Sequence, residues 1–160
     1  VPILYDCDIE QQQLVMSNIP GQPLIELLND RSIADDVVQN HLRSAGRSIR
    51  MLHRQAIVHG DLSTNNIIIQ PSGEAVLIDF GLAKIEFETE LYGIDLHVLF
   101  EILGASHPHR NHAMDAVLEG YTQCEKELGP PASTPGGDPI PMDDVIERFD
   151  LIRTRVRYHG

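Results

Sequence analysis

Lysine is nearly absent from this 160-residue chain: Lys84 and Lys126 are the only two, and neither falls in the first half. Arginine brings the bases to 12 against 24 acids, leaving a net charge of −12. So acidic a chain is not built to bind nucleic acid over its whole surface. Tryptophan is missing, and cysteine is limited to Cys7 and Cys124, which match no metal-ligand spacing; two reduced thiols are expected. No apolar run approaches the roughly 18 residues that cross a membrane. The opening VPILYDCDIE has neither the basic start nor the apolar stretch of a signal peptide. A cytoplasmic protein is expected. An initiator methionine is also lacking, which leaves room for sequence upstream. What remains, 42% hydrophobic and 22% charged, fits one domain with a real core or a large part of a bigger one.

Residues 14–28, LVMSNIPGQPLIELL, begin as a strand, break at Pro20-Gly21 and resume with helical spacing at Leu24, Leu27 and Leu28. From Ser32 a long helix is predicted, capped by Ser32 with Asp35 three positions on. Its apolar face reads Ile33, Val37, Val38, Leu42, Ala45, Ile49 and Leu52. Gly46 interrupts that face at a cost in helix propensity, so another element is expected to pack closely there. Two β-rich runs, Ile67–Ile69 and Ala75–Ile78, flank Pro71-Ser72-Gly73 and read as a hairpin. Leu91–Leu103 and Ala113–Leu128 read as helices, and the Pro/Gly-rich 129–141 as a flexible loop. The last predicted helix, from about Asp143 to Val156, carries Val145, Ile146, Phe149, Ile152 and Val156 on one face. Arg148, Arg153, Arg155 and Arg157 fall elsewhere on it, nearer solvent, either as a solvated face or as a contact to RNA or a partner.

The chemistry concentrates in HGDLSTNN (59–66) and, thirteen residues on from Asn66, in IDFG at Asp79. Phosphoryl transfer from a nucleotide asks little covalent work of a protein. It needs Mg²⁺ on the phosphates, a carboxylate at the acceptor and rigid placement of both. Asp61 can accept or orient the acceptor's proton, Asn66 offers a neutral oxygen to one Mg²⁺, and Asp79 offers the charged ligand. Hard cations take oxygen ligands, and Mg²⁺ is held by few carboxylates plus phosphates. Each motif alone is also compatible with a turn cap or a strand ending at glycine; their order, around a hairpin, favours the chemical reading.

These motifs resemble the protein-kinase-like superfamily over roughly residues 1–128. The resemblance implies an α+β fold, mainly the helical C-terminal lobe with a small β-hairpin carrying the metal site. It divides the chain into a remnant of the N-terminal lobe and hinge (1–19), the C-terminal lobe (20–128), the loop 129–141, and a C-terminal helix with a basic tail (142–160). ATP and Mg²⁺ are the implied cofactors. Met16 matches the gatekeeper position, the backbone of Ser17 and Ile19 would face adenine, and Ile68 would floor its pocket, although Met16 and Ile68 also suit plain core. Asp95 matches the buried acid that braces the catalytic-loop backbone. His59 matches a structural histidine of that loop.

Three departures mark an atypical kinase. Gly60 stands where ordinary protein kinases carry arginine, Ser63 replaces their catalytic-loop lysine, and only fifteen residues separate Asp79 from Asp95. The combination of HGDLSTNN, VLIDFGLA, GIDLHVL, SHPH and an arginine-rich end is most similar to the kinase of the KEOPS complex, the p53-related protein kinase family. That similarity implies a serine/threonine kinase or ATPase working with a tRNA threonylcarbamoyl transferase, with possible tRNA contact through Arg153, Arg155 and Arg157. Aminoglycoside- or choline-type kinases and a non-catalytic scaffold are the competing readings. Before His59 the only glycines are Gly21 and Gly46, so a glycine-rich loop and the lysine that pairs the phosphates are expected upstream of Val1, in a longer sequence. His107, His109 and His112 have imidazoles that suit zinc, but the proline between them favours a solvated loop.

Overall fold

The computed structural model describes residues 1–157, with side chains through Arg155. The side chains of Val156 and Arg157, assigned above to the core face and the basic cluster, lie outside the described residues. The chain opens with an antiparallel hairpin, β1 (Leu4–Asp8) and β2 (Gln13–Met16), paired from Leu4↔Met16 to Asp8↔Gln13 with an irregularity between Leu4 and Asp6. Its apolar residues Leu4, Tyr5, Leu14, Val15 and Met16 are all exposed. A short strand β3 (Gln22–Pro23) then leads directly into α1 (Leu24–Asn29). Leu24 and Leu28, one helical turn apart, are fully buried, which explains the resumed helical spacing.

The long helix α2 spans Asp35–His53, and its start corrects the cap read from sequence. Ser32 does not cap it. Asp30 captures Ser32 instead, its Oδ1 accepting the Ser32 backbone N–H at 2.8 Å and the hydroxyl at 2.6 Å. Aspartate bonds its own backbone two residues on readily, and that turn wins the competition. Ala34 becomes the residue before the helix, and Asp35 and Asp36 in the first turn favour the positive end of its dipole. Val37 is a second correction: it is 41% exposed, while Val38 is 2% exposed. Adjacent helical residues diverge by about 100°, so both cannot face one core. Leu42, Ala45 and Ile49 are fully or almost fully buried, as expected.

Gly46 has the close neighbour its position called for. A Cβ built on it would lie 1.9 Å from the Val117 carbonyl oxygen on α4 (Ala113–Leu128), and one built on Gly120 would lie 1.9 Å from the Arg43 carbonyl oxygen. The two glycines let the helix backbones touch. Arg43 pairs with Glu119 at 2.7 Å across the same seam, and Arg47 with Glu127. These exposed pairs contribute at most about 1 kcal/mol each.

After α2 come β4 (Ile57–Val58), β5 (Ile67–Ile69), β6 (Ala75–Leu77) and β7 (Lys84–Ile85). β3, β5 and β6 form one antiparallel sheet with β5 in the middle, and β4 pairs with β7. The predicted turn at Pro71-Ser72-Gly73 is there, with Gly73 at φ +87° and its N–H donating to Gln70 O. α3 (Thr89–Ser106) and α5 (Met142–Arg157) pack on each other, with Phe100 and Phe149 edge to face at 5.9 Å. Val145 and Phe149 are fully buried and Ile146 half-buried, on the face expected. Between α4 and α5, residues 129–141 are tied at both ends to α2: Arg54 donates to Gly129 O at 2.6 Å and Arg50 to Ile140 O at 3.3 Å. No helix among the described residues is long and apolar enough to cross a membrane.

Candidate active site

The hairpin β5–β6, in register Ile67↔Leu77 and Ile69↔Ala75, brings the two motifs together. Beyond its last pair the Ile78 N–H donates to Asn66 O at 3.0 Å, so Asn66 and Asp79 leave the same end of the sheet side by side. The Asn66 amide donates to the Asp61 carbonyl at 3.0 Å and to its carboxylate at 3.1 Å, closing the loop between them. Leu62 and Thr64 are fully buried beneath that loop, and Thr64 O accepts the Ile25 N–H at 3.0 Å, locking it to α1. Asp61 itself is exposed. Alternation of buried and open residues thus presents the acid while anchoring its neighbours.

Asp95, 3% exposed on α3, holds the loop from behind. Its carboxylate accepts the His59 N–H at 2.6 Å and the Gly60 N–H at 2.8 Å, one on each oxygen. That is the bracing role the resemblance implied. His53 approaches the same carboxylate with Nε2 at 3.3 Å and meets the Tyr121 hydroxyl with Nδ1 at 2.8 Å. His59 Nε2 donates to Ile78 O at 3.0 Å, which leaves Nδ1 to accept the Asp61 N–H at 3.4 Å. A structural histidine fits that geometry, stitching the loop to the segment that runs from β6 to Asp79. The Phe80 ring tilts against it at 5.0 Å.

Burial pushes the His53 imidazole below its ordinary value of 6.5, with the Asp95 carboxylate opposing. A proton that binds the unfolded chain more readily destabilises the fold as it is taken up. The His53 contribution is therefore complete above about pH 6.5 and is lost as pH falls toward the depressed folded value. The thermal midpoint is expected to decline as pH drops from 7 through 6. A midpoint flat across that window, or rising, would contradict the assignment of His53 as buried and neutral.

Asp79 sits at φ +62°, a left-handed conformation uncommon for residues other than glycine and best tolerated by Asn and Asp. Its carboxylate meets only the Gly81 N–H, at a long 3.4 Å, and stays exposed. Gly60, at φ +81°, has no room for a side chain: a Cβ there would lie 2.5 Å from Leu82 O. The backbone beyond Asp79 thus comes down on the 59–66 loop at the position where ordinary kinases carry an arginine. The chain then pairs Lys84 with Val58, and Tyr92 fastens it by donating to Glu86 O at 2.5 Å. Burial pushes the Tyr92 phenol up to about 12, so it remains a donor at physiological pH.

Ser17, Ile19 and Ile68 lie around the connection from β2 to β3. The Ser17 N–H donates to Ile3 O at 2.8 Å, so it is not the group that could face a ligand. Gly21, at φ +147°, passes so close to β5 that a Cβ would lie 2.8 Å from Ile68 Cγ2. Ile68 therefore borders the connecting segment, half-buried between Pro23 and Val76. The donor set suits Mg²⁺: the Asn66 amide nitrogen is spent on Asp61, so its carbonyl oxygen and the nearly unengaged Asp79 carboxylate remain as hard oxygens. Among the described residues no three His, Cys, Asp or Glu side chains gather into a metal cage. His109 instead contacts Leu28 O at 3.0 Å, and His112 contacts Asp115 at 2.8 Å.

The basic end is less open than its spacing implies. Arg148 pairs with Glu90 at 3.1 Å, and Arg153 pairs with Asp150 at 2.8 Å while lying over the Phe149 ring. Arg155 is exposed. Sequence reasoning missed Arg50, His53 and Tyr121, since nothing in their local patterns links positions 68 and 71 residues apart in the chain.

A family model described as Protein kinase domain matches residues 5–93. The "Probable serine/threonine-protein kinase BUD32 homolog" of Archaeoglobus fulgidus is 33% identical over 158 residues, 99% of this chain and 68% of that protein. The "KEOPS complex subunit Bud32" of Pyrococcus abyssi is 35% identical over 128 residues, 79% of this chain and 57% of its own length. A "Probable bifunctional tRNA threonylcarbamoyladenosine biosynthesis protein" of Methanoculleus marisnigri is 39% identical over 115 residues, 72% of this chain but 20% of its own length. The chain thus spans about half of one of these relatives and a fifth of another. Among solved structures, WbdD crystallised with a kinase inhibitor aligns with a TM-score of 0.52 and 24% identity, over 78% of this chain and 32% of that one. At that identity the likeness concerns the fold, which is α+β and kinase-like.

Proposed function

From the premise that the chain belongs to the protein kinase family, in the branch of its Bud32 relatives, we propose that it carries the metal-binding and phosphoryl-transfer residues of an atypical serine/threonine protein kinase or ATPase. One observation carries the reading: Asp61 and Asn66 are hydrogen-bonded on a loop suspended from Asp95, with Asp79 following Ile78, whose N–H donates to Asn66 O. Asp61 orients the acceptor hydroxyl or water. Asn66 and Asp79 hold Mg²⁺, which neutralises and orients the phosphates when bound. The Ser17 carbonyl and the Ile19 N–H address adenine, and Ile68 floors its pocket. Ser63 places no positive charge beside the transferring phosphate, which favours slow transfer or plain hydrolysis. Titration of the full natural polypeptide with ATP and Mg²⁺ tests this. Metal-dependent binding with ADP release supports it; no nucleotide binding at all would leave a scaffold.

The names of the relatives support a role in the KEOPS complex, beside the transferase that makes threonylcarbamoyl-adenosine in tRNA, and a cytoplasmic location goes with that proposal. The exposed Arg155 and the terminal Arg157, with Arg153, are then candidates for tRNA phosphates. Each neutralised phosphate releases counterions and contributes about 0.9 to the salt slope. Replacing all three with glutamine is expected to weaken tRNA binding by the assembled complex and flatten that slope, with basal ATP hydrolysis retained. If affinity and slope both hold, the tRNA assignment should be dropped.

A further inference from the structure

We propose that Tyr121 and Arg50 are positioning residues for the catalytic loop, acting through His53 and Asp95; this rests on the phosphoryl-transfer reading above. The side chains of Arg50, His53 and Tyr121 are all fully buried, so protein groups alone set their hydrogen bonding. Asp95 needs a proton on His53 Nε2 to gain its third donor, at 3.3 Å. A neutral imidazole with that proton has a bare Nδ1, which must accept. Among the described residues, the hydrogen-bonding group that meets it is the Tyr121 hydroxyl at 2.8 Å, which must therefore donate.

Arg50 removes the other choice. Its Nη1 lies 3.3 Å from the Tyr121 oxygen, and a guanidinium can only donate, so the phenol proton turns to His53. Glu125 in turn fixes Arg50 with two bonds, to Nε at 2.9 Å and Nη2 at 3.0 Å. The bonds run in one direction, from Arg50 through Tyr121 and His53 to the carboxylate that holds the His59 and Gly60 amides. Asp61 follows Gly60 directly. Packing does not ask for these polar groups: phenylalanine at 121 fills the same space, and buried polar chains are costly unless every member is satisfied. The same arginine reaches Ile140 O, so the origin of the chain lies against the segment between α4 and α5.

Tyr121→Phe in the full natural polypeptide tests the assignment. The kcat for Mg²⁺-dependent ATP turnover is expected to fall about tenfold, the size of one lost hydrogen bond to the site, with KM for ATP unchanged to about twofold. Nitrogen NMR is expected to show the His53 Nδ1 signal losing the shift of a hydrogen-bonded acceptor while Asp95 keeps the proton on Nε2, and the His59 and Gly60 amides to exchange faster relative to amides elsewhere in the core. His59 and Gly60 amide exchange identical to wild type would overturn the proposal, whatever happens to thermal stability. If wild type turns over no ATP, the functional reading fails, while exchange at the two amides still decides the positioning role. Should Tyr121→Phe not fold, Glu125→Gln, which loosens Arg50 without removing bulk, carries the same amide-exchange test.

Discussion

Asp79→Asn is expected to lower Mg²⁺-dependent ATP turnover of the full natural polypeptide by roughly a thousandfold or more. Charge stabilisation by a bound metal is worth several kcal/mol, and about 1.4 kcal/mol is tenfold in rate. The substitution removes the only formal charge assigned to the metal while keeping size and shape. It also keeps the backbone, since asparagine tolerates the left-handed conformation that Asp79 adopts at φ +62°. The folded structure should therefore survive, and the loss should be one of metal affinity and rate. Raising Mg²⁺ should recover only part of it, because the remaining amide oxygen is a weaker ligand. Turnover equal to wild type at saturating Mg²⁺ would remove Asp79 from the metal site.

Gly46→Ala is expected to destabilise the fold by about 3 kcal/mol, a large overpacking cost. An exposed helical glycine gains about 1 kcal/mol on becoming alanine, so the sign here is decided by packing. The new methyl group would lie 1.9 Å from Val117 O, 2.8 Å from Val117 C and 2.9 Å from Tyr121 N, all of them backbone atoms. No rotamer change relieves those contacts; α4 must move away from α2. Gly73→Ala is the contrast, with nothing within 4 Å of its built Cβ and only the left-handed backbone at φ +87° to strain, a cost of about 1–2 kcal/mol. Denaturant midpoints for the two variants check this. A Gly46→Ala chain as stable as wild type would mean that the helices do not approach as closely as the structure has them.

The helices from Leu91 and Ala113, the hairpin turn at Pro71–Gly73 and the apolar face of α5 were readable because each depends on a period or a turn within a few residues. The start of α2 was misread for a related reason. Two local motifs, a cap by Ser32 and a turn at Asp30, competed for one hydroxyl, and in the folded chain Asp30 takes it. The candidate site divides in the same way. Asp61, Asn66 and Asp79 stand out in HGDLSTNN and IDFG because the chemistry requires those residue types at those intervals.

The order of elements around the hairpin and the acids and amide of the candidate site were determined by the sequence itself, because spacing along the chain carries them. The α+β class and the arginine missing before Asp61 followed from its resemblance to the kinase superfamily. Tertiary structure decided the rest. Whether Gly60 could hold a side chain depended on the approach of Leu82 O. Whether the terminal arginines were open depended on Glu90 and Asp150. The chain of bonds from Arg50 to Asp95 depended on α2, α3 and α4 meeting in the core. Each of these is a contact between residues whose separation in sequence says nothing about their distance in space, and burial, by excluding water, makes that distance decide what each group does.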